Sequence, residues 1–150
     1  MIRRRLADRA VRWYAGLLAG RALTAATYGD DDAGRDLTAR AVRRGPVAVE
    51  QLVTVWTEAV LADQPPAAPA REGVREVPNT CGFAIAADAG QRPPTARWVG
   101  YLLAAAANHD HAMRRALIEA VPAEDLHDHL AELLRTASDA VVARDDGFWP

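Results

Sequence analysis

The chain of 150 residues is half hydrophobic and nearly neutral, with 18 basic side chains against 20 acidic ones. That length and apolar content suit one domain with a single core, burying ~70 % of the surface its unfolded chain exposes. The longest run free of charged or polar side chains, Trp98 to Ala107, is ten residues, about half of the ~20 that a membrane-spanning helix needs; the lone cysteine, Cys81, excludes an intramolecular disulfide.

The amino-terminal Arg3, Arg4 and Arg5 resemble the start of a secretory leader, but Asp8, Arg9 and Arg12 follow and Arg21 cuts the apolar run short. With one cysteine, the expected setting is a reducing cytoplasm. All 18 basic residues are arginine, as a GC-rich coding sequence favours. Charge is unevenly spread: Met1 to Arg44 holds ten Arg against five acids, Gly45 to Arg92 three against six, and Pro93 to Pro150 five against nine. The chain is basic at one end and acidic at the other.

In chain order, Leu6, Ala10, Trp13, Tyr14, Leu17 and Leu18 fall in one apolar arc of a helix expected over Ile2 to Thr27, with Arg5, Asp8, Arg9 and Arg12 opposite. This arc is expected to face the core. Gly29 suits the position just past that helix. Asp30, Asp31 and Asp32 then suit the cap and first turn of a second helix, whose thin apolar face is Leu37, Ala41 and Val42 and whose last turn carries Arg40, Arg43 and Arg44. Pro46 opens a third, running to about Asp63, with Val49, Leu52, Val53, Trp56 and Val60 on one face.

Gln64 to Pro93 holds five of the nine prolines. A loop to Gly73 is expected there, then a small hairpin from Val74 to Val77 and Phe83 to Ala87. Pro94 or Thr95 starts a fourth helix that is apolar nearly all round from Trp98 to Ala107, the pattern of a central, buried element. Asn108, His109 and Asp110 break it from a fifth, with Met113, Leu117, Ile118 and Val121 on one side. Pro122 is expected in the first turn of the last helix, along which Leu126, Leu130, Leu133, Leu134, Ala137 and Val141 form the cleanest apolar stripe in the chain. Trp13, Trp56 and Trp98 all read as core aromatics, and Trp13 in the core argues against binding to a membrane surface through the first helix.

Candidate chemistry centres on two His-Asp-His triplets, His109 to His111 and His127 to His129. Histidine and aspartate are common metal ligands, so His109, His111, His127 and Asp128 are the candidate metal residues. The set His109, His127-Asp128 and Asp145 or Asp146 resembles the all-helical HD phosphohydrolases, and the resemblance implies metal-dependent hydrolysis. Residues two apart on a helix differ by about 200°, so His127 and His129 flank the leucine stripe on opposite sides and do not share one ion. His109 and His111, at a helix break, are freer. Arg5, Arg9 and Arg12 form a basic face suited to nucleic acid, and Phe148-Trp149 suits docking onto a partner or back onto the chain itself.

Pro94, Arg97-Trp98, Leu102, Asp110, Leu117-Ile118 and Pro122 together resemble a group of small uncharacterised helical proteins of GC-rich actinobacteria. The resemblance covers the last third of the chain and implies a bacterial, cytoplasmic helical protein, with no activity attached. The expectation is therefore a mainly α bundle of five or six helices in one domain: N-terminal helices over 1–63, a Pro-rich insertion over 64–93 and C-terminal helices over 94–150. The expected function is non-enzymatic interaction with a protein partner or with itself as a homodimer. No motif calls for a cofactor, nucleic acid is the first alternative partner, and no membrane is expected.

Overall fold

A computed structural model describes residues 2–62 and 92–146, and the side chains of 6–62 and 92–145 among them. The chain forms a mainly α bundle, with six helices among the described residues: α1 (Ile2–Thr27), α2 (Asp31–Val42), α3 (Pro46–Leu61), α4 (Pro94–Ala107), α5 (His111–Glu119) and α6 (Leu126–Asp146). The expected hairpin over Val74 to Val77 and Phe83 to Ala87, as well as Cys81, lies outside the described residues.

Local chemistry sets the boundaries. Gly29 ends α1 at φ +79°, a left-handed conformation that glycine adopts without Cβ strain. The Asp30 carboxylate then accepts from the Ala33 N–H at 3.0 Å, capping α2, while Asp31 and Asp32 occupy its first turn, the positive end of the dipole. Gly45 at φ +92° leads into Pro46 at the start of α3. Between α4 and α5 the break falls at Asn108 to Asp110: His109 takes φ +55° and Asp110 caps α5 by accepting from the Met113 N–H at 2.9 Å.

The last helix begins later than the proline suggests. Pro122 to Asp125 form a turn closed by the Asp125 N–H donating to the Pro122 carbonyl at 3.0 Å, and the Asp125 carbonyl accepts the first helical bond, from the His129 N–H at 3.2 Å. Proline followed by two acids suits such a turn as well as a first helical turn, so the signal marks the joint without fixing the start.

One core cluster joins both halves of the chain: Leu18, Ala19 and Ala22 of α1, Leu52, Val53 and Trp56 of α3, Trp98, Leu102 and Leu103 of α4, and Leu130, Leu133, Leu134 and Ala137 of α6. Trp56 is its keystone. The indole is fully buried, and its Nε1–H donates to the Ala19 carbonyl at 3.0 Å, so α3 is held to the middle of α1 without an unpaired polar atom. Gly34 of α2 lies against the same region, since a Cβ there would come within 3.3 Å of Leu134 and 3.5 Å of the Ala22 carbonyl.

Three expectations about faces are corrected. First, α1 packs on α2, α3 and α6 through Ala15, Leu18, Ala19 and Ala22, while Leu6, Trp13 and Leu17 are 61 %, 73 % and 47 % exposed. The expected inward arc mostly faces solvent, and Trp13 is not a core residue. Second, α4 is not central: Trp98, Val99, Leu102, Leu103 and Ala105 are buried, but Arg97 and Tyr101 are exposed. Third, α5 buries no residue fully; Leu117, Ile118 and Val121 pack against the core while Met113 is exposed. The stripe of α6 from Leu126 to Ala137 faces inward as its spacing implies, and Val141 is half-buried.

Candidate functional site: an exposed apolar face on α1

The two histidine triplets are held apart by the fold. His109 and His111 border a cleft of about 250 Å³ with Glu58 of α3 and Arg114 of α5. The Arg114 guanidinium donates to His111 Nδ1 at 3.2 Å, so that nitrogen accepts and a neutral His111 carries its proton on Nε2. His127 and Asp128 line a different and larger groove, about 810 Å³, between α6 and α2. Among the described residues no group of three or more His, Cys, Asp or Glu side chains is placed to hold a metal ion.

His129 has a structural part. Its ring meets the Trp98 indole edge-on, with centroids 5.2 Å apart at 86°, and its Nδ1 lies 2.8 Å from the Asp125 carbonyl, which only accepts, so Nδ1 is the protonated nitrogen. Trp98 in turn donates from Nε1 to the Leu117 carbonyl at 2.8 Å, satisfying one of the carbonyls that the end of α5 leaves open. A chain of contacts thus ties α4, α5 and α6 together around Trp98. In the α6 groove two of the acids are matched: Arg135 bonds both oxygens of Glu132, at 2.7 and 3.1 Å, and reaches Asp139 at 2.8 Å. The hydrogen bond and charge of Glu132 raise the Arg135 pKa further.

The basic residues of α1 are similarly divided. Arg12 pairs with Glu50 of α3 at 3.4 Å, and Arg115 of α5 reaches the other oxygen of the same carboxylate at 3.4 Å. Arg44 lies over the Tyr14 ring, 5.1 Å from its centroid. Arg9 is exposed. The side chain of Arg5 lies outside the described residues, as do Phe148 and Trp149.

What the fold leaves open is the outer face of α1. Leu6, Ala10, Trp13, Leu17, Gly20 and Thr24 are all exposed and succeed one another at intervals of 4, 3, 4, 3 and 4 residues, the alternation that keeps one stripe facing a partner helix. A Cβ added at Gly20 would meet nothing within 4 Å. On the opposite side Ala15, Ala19, Ala22 and Ala26 repeat the 4, 3, 4 spacing, about 180° around the helix at 100° per residue. That second, alanine-only stripe is the sequence signal for the inward face, and it leaves Leu6, Trp13 and Leu17 outside. An exposed tryptophan flanked by leucines on a regular helix is the kind of apolar patch that marks an interaction surface.

Among the described residues no helix is long and apolar enough to cross a membrane. Trp13 is exposed, so its position does not oppose binding of α1 to a membrane surface. No protein-family model, curated protein or solved structure matches the chain.

Proposed function

We propose that the chain is a non-enzymatic interaction protein, an adaptor in a bacterial cytoplasm, that docks a partner helix along the outer face of α1. The observation that carries this reading is Trp13, 73 % exposed at the centre of a stripe of alternating three- and four-residue spacing. Covering an indole removes roughly 150–250 Å² from water; at ~25 cal/mol per Å² and with about three quarters of it now wet, the gain is about 3–5 kcal/mol before the entropy of association is subtracted. Leu6 and Leu17 extend the same face, and Ala10 and Gly20 leave room for a helix backbone to approach.

The nucleic-acid alternative through Arg5, Arg9 and Arg12 has less support, because Arg12 is engaged by Glu50 and Arg44 covers Tyr14. The metal alternative has less still, with His109 and His127 in separate clefts. The test is a benzophenone side chain placed at Leu17 and irradiated in cells that make the full chain. Protein adducts are expected from Leu17 and none from a control at Glu58, on a different helix. No adduct from Leu17 refutes the reading.

A further inference from the structure

Building on that docking reading, we infer that the occupant of the α1 face is a second copy of the chain, its α1 laid antiparallel on the first. The exposed stripe is complementary to itself in that direction. With Trp13 set against Leu17 of the second copy, Ala10 falls against Gly20 and Leu6 against Thr24, and each pairing occurs twice about a two-fold axis. All six positions are exposed. The largest side chains meet at the centre, and the smallest meet on either side, where the open space over Gly20 lets the helix axes close up. The seam from Leu6 to Thr24 runs for about 27 Å at 1.5 Å per residue.

Charge selects the direction. A parallel pair would bring the two arginine-rich first turns together, where Arg3, Arg4 and Arg5 stand in sequence with Asp8 the nearest acid. The antiparallel pair instead lays the first turn of each α1 alongside the far end of the other, where Asp30, Asp31 and Asp32 follow the Gly29 turn and are exposed. On the flanks, like edges of antiparallel helices face each other, so Arg9 comes beside Leu23 and Arg21 beside Ala7 of the second copy, and no arginine is set against another. The uneven charge of the chain, basic before Arg44 and acidic at Asp30 to Asp32 within it, is thereby used between copies.

Sedimentation equilibrium of the purified full chain over roughly 1–200 µM should show a dimer, and Trp13→Glu or Leu17→Glu should leave a monomer with an unchanged helical circular dichroism spectrum. The direction is tested by charge exchange. R3E/R4E and D31R/D32R should each self-associate about tenfold more weakly, and an equimolar mixture of the two should restore dimers near the original affinity. A parallel pair would instead be strengthened by mixing R3E/R4E with the original chain, which would overturn the register. A chain that stays monomeric throughout, or a dimer untouched by both glutamate substitutions, overturns the inference. Should the purified chain be monomeric while Leu17 crosslinks a different protein in cells, self-pairing is refuted and the docking reading stands; should Leu17 crosslink nothing, both are refuted. Vesicles of phosphatidylglycerol that bind a monomer through Trp13 would overturn it as well.

Discussion

Helices α1 and α6 carry apolar residues at the same helical spacing, and the bundle treats them in opposite ways. In α6, Leu130, Leu133 and Leu134 face inward and are buried. In α1, Leu6, Trp13 and Leu17 face outward, and the buried residues are Ala15, Leu18, Ala19 and Ala22. The difference lies in crowding. Helices α2, α3 and α6 all pack against α1, with Trp56 of α3 and Gly34 of α2 pressed against its Ala19 and Ala22 carbonyls, and beside Leu18 the positions where these neighbours converge are taken by alanine. A helix with one apolar stripe has one way to face the core. A helix with a small stripe and a large stripe on opposite sides is oriented by the space available, and the larger stripe is left for a partner.

Substitutions test that contrast most sharply in the core. Trp56→Ala removes a fully buried indole and its bond to Ala19 and should destabilise the protein by about 3–5 kcal/mol in urea titration. A loss below ~1 kcal/mol would mean that α3 and α1 are not joined as described. Leu130→Ala in α6 should cost about 2–5 kcal/mol, with the spread set by how far the cavity collapses. Ala19→Leu, conservative by hydrophobicity, should cost about 1–3 kcal/mol through overpacking; if it stabilised instead, α1 would have room on its inner face and the crowding argument would fail.

Smaller effects distinguish the caps and histidines. Asp30→Ala removes the side-chain cap of α2 and should lower the thermal midpoint by the equivalent of about 1 kcal/mol. His129→Ala loses the edge-on contact with Trp98, worth about 0.5–1.5 kcal/mol, whereas exposed His127→Ala should stay within about 0.5 kcal/mol of the original. Equal effects from the two histidines would count against the structural part assigned to His129. Smallest of all, Trp13→Ser should change the unfolding free energy of the monomer by no more than about 0.5 kcal/mol, although it lies on the face proposed for association.

Most of the elements were legible in the chain because their signals are local. Gly29 supplies a left-handed turn, Asp30 a cap, Asn108 to Asp110 a break, Pro46 and Pro94 first-turn residues, and the α3 and α6 stripes each have a single apolar side. Pro122 was legible as a joint but not as a helix start, since the same residues close a turn. Of the candidate site residues, the phase of His127 against His129 could be read from helical geometry, and their different surroundings follow it: one lines a groove and the other covers Trp98. The α1 face was misread because hydrophobicity favours Trp13 and Leu17 over alanine, and a periodicity argument weighted by side-chain size selects the wrong side.

The sequence by itself determined where the first five helices start and stop, which of the helices have one possible inward face, and that the charge of the chain is divided between its ends. These depend on backbone conformation, capping and spacing, all set within a few residues. Only the tertiary structure decided the orientation of α1, the separation of the histidine triplets and the pairing of Arg12 and Arg115 on one glutamate. Each of those depends on how closely distant segments approach, and for α1 the space between converging helices admitted alanine and turned tryptophan outward.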